Sequence, residues 1–346
     1  MSTSKNIQRS GIVPRVAWLY VLGVLSWAAV YFLAGDRILY FEFINALAVY
    51  FFIPLPLMFI FAWRKGDKGL GLANALMLIV FLALWGPLFV PNSGQASNGA
   101  ETFKVMTYNL QGNAGDVNDS IEAIRTEDAD VLLLQEITPQ VANALREHLS
   151  ESYPWQNLDP RPYASGMAIL SKLPMETLQF EWVDRWNGWP QVVQVELGGQ
   201  KVTLINVHLH ASRPTLPSLV EKAAANRERN AASLMDVIAQ VSQDGPVILA
   251  GDFNVTHLST VYKTITTQLD DAWMLAGFGF GHTFPADADP PGLLAWKRGV
   301  PLPQKIVRID YIFHTGDLLP QDAYRGVNLG GSDHRAVVTV FELAGK

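Results

Sequence analysis

Three stretches in the first quarter of the chain, Val16 to Ala34, Phe43 to Trp63 and Leu70 to Val90, contain no charged residue. Each is about 20 residues long, the length a helix needs to cross a hydrocarbon core of roughly 30 Å. A buried helix of a water-soluble protein carries a polar stripe on its outer face, and these three carry almost none. The expectation is three transmembrane helices, so that the lipid bilayer itself is a partner of the chain. A cleaved signal peptide does not fit, because the first apolar run is long and two more come after it.

Positive charge gives the orientation. Lys5, Arg9 and Arg15 precede the first run, and Arg64, Lys65 and Lys68 crowd the loop between the second and third. The loop between the first and second has only Arg37, offset by Asp36 and Glu42. The positive-inside rule therefore puts residues 1–15 and the second loop in the cytoplasm and everything after the third span outside it. In a bacterial cell this is an inner-membrane protein with a periplasmic C-terminal part. The three spans hold no ionisable residue of the kind a transporter uses for its substrate path, so an anchor is the better reading.

Beyond the spans the chain changes character. Residues 91–102, PNSGQASNGAET, are small, polar and turn-forming and read as a linker. A flexible coil of this length spans about 20 Å on average, which keeps the C-terminal part near the membrane surface. Residues 1–100 hold 7 Lys+Arg and 3 Asp+Glu, leaving 19 and 29 for the remainder, a net charge of −10. Such an acidic domain lacks the broad basic footprint of a tight polynucleotide binder. With no cysteine in the chain, disulfide frameworks and thiolate metal sites are excluded.

From Phe103 to Lys346 short apolar runs alternate with helical patterns, as in a single domain with sheet inside and helices outside. Strands are expected at Lys104 to Asn109, Val131 to Gln135, Met167 to Ser171, Val192 to Leu197, Val202 to His208, Val247 to Ala250, Arg308 to Phe313 and Ala336 to Phe341. Helices are expected at Val117 to Glu127, Gln140 to Leu149 and Leu219 to Val241.

At the tips of these strands a pattern recurs. VMTYNLQG ends its strand on Asn109 and VLLLQE on Glu136. LINVHLH sets Asn206 and His208 on one face, since strand neighbours two apart point the same way. VILAGDFN brings Asp252 and Asn254, RIDYIF brings Asp310, and GSDH brings Asp333 and His334 just before the last apolar run. Singly, each has an ordinary explanation: a solvated loop glutamate, a hydrogen-bonded histidine, a Gly/Asp/Asn turn, an ion pair between Asp310 and Arg308. Their joint occurrence in one domain is what demands another.

In order and spacing the motifs TYNLQG, LLQE, NVHLH, GDFN, RIDYIF and GSDH resemble those of the endonuclease/exonuclease/phosphatase superfamily, the deoxyribonuclease I-like proteins. The resemblance covers nearly all of the chain after the linker and leaves the membrane segment unexplained. It implies an α/β (α+β) four-layer sandwich, two mixed β-sheets flanked by helices, with the active site on strand ends along one edge. It also implies a metal-dependent hydrolase of phosphate esters. Cleaving such an ester requires neutralising the phosphoryl oxygens, activating an in-line water and stabilising the leaving oxygen. Hard oxygen ligands favour Mg²⁺, with Mn²⁺ able to substitute. Glu136 fits as the principal ligand, and by similarity Asp333 and Asn109 complete or orient the shell. By the same carry-over Asp252 activates the water and Asn254 orients phosphate or water. His334, polarised by Asp310, and His208 bind non-bridging oxygens or move a proton.

The resemblance also has departures. No glutamate between Trp155 and Ser171 can be assigned to brace His208, as happens in nuclease members, and KIVRIDYIF lacks the motif of the inositol-phosphatase branch. GHTFPAD, Gly281 to Asp287, resembles a substrate-side loop of bacterial members but equally an ordinary Gly/Pro loop. FEWVDRWNGWP carries Trp182, Trp186 and Trp189, open to base stacking, contact with the lipid interface or plain packing under a loop. Arg161 and Arg185 are candidate phosphate contacts. The substrate expected is a phosphodiester, either a lipid head group near the membrane or, alternatively, DNA or RNA. No protein partner is implied. The rival of another class, a non-catalytic binding module on the same fold, is expected to have lost ligands, and none is missing.

Overall fold

This computed structural model describes residues 11–90, 102–286, 294–297, 300–303, 305–326 and 331–343. The first ten residues and the linker up to Glu101 lie outside them. Two compact units result, Met1–Pro87 and Leu88–Lys346.

In the first unit the helices are α1 (Ile12–Ala34), α2 (Phe41–Leu47), α3 (Leu55–Lys65) and α4 (Lys68–Trp85). α1 and α4 are long and apolar enough to cross a membrane. The second expected span is not one helix: Phe41–Phe52 and Leu55–Lys65 meet at a 50° bend. Pro54 and Pro56 explain it, since each lacks an N–H and crowds the preceding turn. The unit thus has two such helices, or three spans if the bent pair counts as one. Some of its polar side chains bond internally: Trp27 Nε1 donates to Asn45 Oδ1 at 3.0 Å, and Asp67 caps α4 by accepting from the Leu70 N–H at 3.0 Å. Leucines turn outward instead, Leu33 being 89% and Leu72 76% exposed, as suits a helix facing lipid.

The second unit carries fourteen strands in its described residues. In chain order these are β1 (Thr102–Asn109), β2 (Val131–Gln135), β3 (Trp155–Asp159), β4 (Met167–Ser171), β5 (Met175–Leu178), β6 (Gly188–Leu197), β7 (Gln200–His208), β8 (Val247–Asp252), β9 (Asp270–Asp271), β10 (Leu294–Lys297), β11 (Val300–Pro303), β12 (Asp310–His314), β13 (Leu318–Arg325) and β14 (Val337–Leu343). One sheet has the order β13-β14-β1-β2-β4-β3 and the other β5-β6-β7-β8-β12-β9, while β10 and β11 form a separate hairpin. Each large sheet contains one parallel pair, β1 with β2 and β7 with β8. A parallel pair needs a crossover, here α5 (Val117–Glu127) and α7 (Pro217–Val241).

α5 and α6 (Pro139–Leu149) bury Ile121, Ile124, Val141 and Leu145 in a core with Leu132, Leu134 and Ala168 of the first sheet. α7 and α8 (Thr260–Ile265) bury Leu234, Ile238, Val261 and Ile265 against Ile205, Leu249 and Phe313 of the second. Between the sheets polar groups meet: Asn206 Nδ2 donates to the carbonyls of Leu134 and Ala168, both at 3.0 Å, and its Oδ1 accepts from Gln135 Nε2 at 2.7 Å. The result is the expected four-layer α/β/β/α sandwich with two mixed sheets. Register aligns the strand ends that carry the motifs: Asn109 opposes Gln135 in one sheet, and His208, Asp252 and Asp310 form a row in the other.

Candidate active site

Asp252 is built by close approach of two backbones. Preceding it, Gly251 has φ 149°, and a Cβ there would lie 1.9 Å from the Val207 carbonyl oxygen of β7, so this position of GDFN admits glycine alone. Asp252 is 1% exposed. Its Oδ1 accepts from the Asn254 N–H at 2.9 Å, while Asn254 has φ 53° and donates Nδ2 to the Leu209 carbonyl at 3.0 Å.

Asn109 joins the sheets at this edge. Its Nδ2 donates to Asp252 Oδ2 at 3.0 Å and to Glu136 Oε1 at 3.2 Å, and its Oδ1 accepts from the Gln111 N–H at 2.9 Å. Glu136 succeeds β2 with φ 61°, an uncommon backbone state for a residue with a long side chain. Non-glycine residues in that region recur at functional sites. Behind it Gly166 lets the chain pass, since a Cβ there would sit 1.8 Å from the Ile137 oxygen.

The GSDH turn is fastened to the same edge. Ser332 Oγ donates to the Asn109 carbonyl at 2.6 Å and accepts from the His334 N–H at 3.1 Å. The Asp333 N–H donates to Gln111 Oε1 at 3.0 Å. His334 Nδ1 lies 3.0 Å from Asp310 Oδ2, and its Nε2 is 3.8 Å from Asp252 and 3.9 Å from Asp333. The segment from Gly281 to Ala286 supports the turn: the Ala286 N–H donates to the Asp333 carbonyl, the Arg335 N–H to that of Thr283, and the Phe284 ring packs 4.9 Å from His334. Asp287, the last residue of GHTFPAD, lies outside the described residues.

His208 completes the edge, with Nε2 3.5 Å from Asp252 Oδ2. Its brace is Asn187, whose Nδ2 sits 2.9 Å from Nε2. Asn187 belongs to the tryptophan-rich segment, and a lone asparagine there carries no signal of a role at the site. Ser332, Gln111 and Gln135 lie inside the motifs GSDH, TYNLQG and LLQE without a role assigned to them, and Asn206, expected on one face with His208, bridges the sheets to Gln135.

Burial and charge divide the two histidines. Burial, then the neighbouring His334, pushes His208 down to about 3, so it is neutral. Burial acts the same way on His334, but the carboxylates of Asp310 and Asp252 outweigh it and hold the imidazolium up to about 10. Asp252 is raised to about 7, first by burial and then by Asp310, against the opposing charge of His334. A positive Nε2–H therefore faces the centre of the site, beside a carboxylate that titrates near neutrality.

Two sets of groups could hold a cation. One is the set expected from the sequence, Glu136, Asp333 and Asn109, hard oxygen donors suited to a Mg²⁺-like ion, in which Asn109 turns Nδ2 to Glu136 at 3.2 Å and Oδ1 to the Gln111 N–H. Asp252, Asp310 and His334 also cluster, with ligand atoms within 4.8 Å of one another. The second set is the poorer seat, since an imidazolium has no lone pair to give. Arg161 pairs with Asp159 at 2.8 Å, and the Arg185 carbonyl is held by His210 Nε2. Arg308 does not pair with Asp310 but bidentately with Asp271, at 2.7 and 3.0 Å. Of the tryptophans, Trp186 is buried with Trp182 edge-on at 5.4 Å, while Trp189 is 44% exposed.

The family model described as the endonuclease/exonuclease/phosphatase family matches residues 106–334. An exodeoxyribonuclease of Bacillus subtilis is 25% identical over 262 residues, covering 69% of this chain and 100% of that protein. Among solved structures, truncated Caenorhabditis elegans TDP2 is similar with a TM-score of 0.52 and 20% identity, covering 70% of this chain and 98% of that one. An endonuclease/exonuclease/phosphatase from Bacteroides vulgatus has a TM-score of 0.51 and 20% identity, covering 70% and 99%. D. rerio TDP2 complexed with single strand DNA product has a TM-score of 0.51 and 17% identity, again covering 70% and 99%.

Proposed function

Because this chain belongs to the endonuclease/exonuclease/phosphatase family and is with it a metal-dependent hydrolase of phosphoester bonds, we propose that it is a Mg²⁺-dependent phosphodiesterase, anchored in the bacterial inner membrane and acting on lipid head groups beside it. The observation that carries the catalytic part is one array: Asp252, bonded to Asn109 and Asn254, faces an imidazolium held by Asp310. In this reading Glu136 and Asp333, with Asn109, hold the metal, which when bound supplies positive charge to the phosphoryl oxygens. Asp252 takes the proton of the attacking water, a task for which a carboxylate near pH 7 is well matched. Asn254 aligns the water or the phosphate. His334 donates Nε2–H to a non-bridging oxygen, while neutral His208, held by Asn187, lines the site beside Asp252 without adding charge.

The membrane assignment is supported by the apolar helices and the Lys/Arg bias. The domain limits proposed with it are a cytoplasmic segment 1–15, an anchor 16–90, a linker 91–102 and a catalytic domain 103–346. Alkaline phosphatase fused after Thr102 should be active in a bacterial host, and green fluorescent protein at the same junction should be dark; the opposite pair would put the domain in the cytoplasm.

The lean toward lipid rests on the short tether and on the −10 charge of residues 101–346. A nuclease is the second reading, favoured by the likeness to an exodeoxyribonuclease. Full-length protein in detergent with Mg²⁺ should be offered DNA, RNA, sphingomyelin, phosphatidylinositol and simple phosphodiesters. Cleavage of a lipid head group, lost in EDTA, is expected. Cleavage of nucleic acid alone would replace the first reading by the second, and inert protein would favour a binding module.

A further inference from the structure

The stretch GFGFG, Gly277 to Gly281, takes no part in the site, yet it is firmly built. It turns around the indole of Trp273, whose Nε1 donates to the Gly279 carbonyl at 2.9 Å. Gly281 has φ 63°, and a Cβ there would lie 2.5 Å from the same indole, so the turn requires glycine. Neither phenylalanine of the loop enters the core: Phe278 is 69% exposed and Phe280 half-buried. A fixed loop that shows an aromatic ring to water is shaped for a partner surface.

What packs on the loop says which surface. The second compact unit begins at Leu88, and Leu88 and Phe89 also close the apolar run Lys68–Phe89, which is long enough to cross a membrane. The Gly279 N–H donates to the Leu88 carbonyl at 2.7 Å, and the Phe89 ring meets Phe278 at 5.7 Å and Phe280 at 5.1 Å, both edge-on. The loop is thus fastened to the residues at which a span leaves the bilayer. Cations lie next to it. Phe280 stacks at 5.2 Å on His282, whose Nδ1 is 2.6 Å from the Lys305 carbonyl and whose own carbonyl accepts from Arg325 Nη1 at 3.1 Å. Among the described residues neither Lys305 nor Arg325 pairs with a carboxylate, and burial, then Arg335 and Arg325, lower the Lys305 ammonium. With a net charge of −10 on residues 101–346, most of the domain is repelled by an anionic surface, which is met best by a face whose cations stand unneutralised. We propose that the Gly277–Gly281 loop, with Lys305 and Arg325 beside it, is the face by which the catalytic domain rests on the bilayer that holds its own anchor, Phe278 entering the interface and the two cations meeting an anionic lipid surface. The assignment rests on the anchor reading and on no particular substrate. The loop runs on into the segment that supports the GSDH turn, so the membrane contact and the active-site edge share one backbone.

The chain has no cysteine, so one introduced cysteine takes a nitrobenzoxadiazole label at a single place. Full-length protein in nanodiscs of phosphatidylethanolamine and phosphatidylglycerol is labelled at Phe278→Cys, at Ile79→Cys on α4, a position 62% exposed, or at Glu147→Cys on the exposed side of α6. Quenching by lipid spin-labelled along its acyl chain is compared with quenching by aqueous iodide. The Phe278 label should emit to the blue of the Glu147 label, be quenched by the lipid and be shielded from iodide. Its docking should weaken in the double variant Lys305→Gln/Arg325→Gln and in discs of phosphatidylcholine alone, each cation being worth roughly fivefold at an anionic surface. A Phe278 label open to iodide and untouched by the lipid quencher would overturn the proposal. Shielding from iodide without quenching by lipid would give the loop to a second copy or another protein and overturn it too. Emission indifferent both to the double variant and to lipid charge would overturn the assignment to an anionic surface. An Ile79 label that the lipid quencher does not reach would show that the anchor reading has failed, and the membrane contact with it.

Discussion

Glu136→Gln should lower kcat by on the order of 10³-fold while leaving the fold and thermal midpoint unchanged. Metal-borne neutralisation of phosphoryl charge is worth several kcal/mol, and each 1.4 kcal/mol or so is tenfold in rate. The amide keeps the shape of the carboxylate, and Asn109 Nδ2, which donates to Glu136 Oε1 at 3.2 Å, can donate equally to an amide oxygen, so the local packing has no reason to change. What is lost is the negative charge that holds a divalent ion. EDTA should therefore abolish wild-type activity, excess Mg²⁺ or Mn²⁺ should restore it, and the variant should need far more metal for its residual rate. Activity that survives both the substitution and chelation would remove the metal from the mechanism and leave Asp252 and His334 to account for the whole of catalysis.

How much of the site is legible in the sequence can be judged residue by residue. GDFN and GSDH are readable because each sets acid, amide or imidazole groups at the end of an apolar run; the glycine that lets β8 approach Val207 and the serine that fastens its turn to β1, both long-range contacts, then fix where Asp252 and His334 point. The α5 boundaries agree with the expected Val117 to Glu127 because Asp116 caps the first turn. Weaker strands escape. β3 is a half-exposed edge strand, WQNLD, without a clean alternation, and β13 contains Pro320 at a register irregularity that only an edge strand tolerates. The break of the second span is visible as Pro54 and Pro56, yet a charge-free run of that length reads first as one helix. Least legible is the brace on His208. Nothing in WNGWP announces that Asn187 will meet an imidazole 21 residues on, because that contact exists only once β6 and β7 pair.

His334→Ala should lower kcat more than it raises KM, by roughly 10²- to 10⁴-fold, the span of a group that donates or transfers a proton in the transition state. The geometry makes this side chain and Asp310 a single device. Asp310 sits 3.0 Å from Nδ1, fixing the ring so that Nε2–H points inward, and with Asp252 it holds the imidazolium up to about 10 against a burial that would otherwise lower it. The required form is the protonated one, so on the alkaline side wild-type activity should fall as pH rises through that value, while the acid limb belongs to Asp252, which must be ionised to act as the base. Asp310→Asn keeps the ring in place but removes the larger of the two attractions. Its loss at neutral pH should be milder than that of His334→Ala, and its alkaline limb should move down toward neutrality as burial prevails. The double variant should be little worse than His334→Ala alone, because removing the partner of a missing group costs nothing further. Measured kcat against pH for the three variants decides the matter. A His334→Ala protein with wild-type kcat, an Asp310→Asn profile with an unmoved limb, or losses that multiply in the double variant would mean that the GSDH turn shapes this edge without taking part in its chemistry.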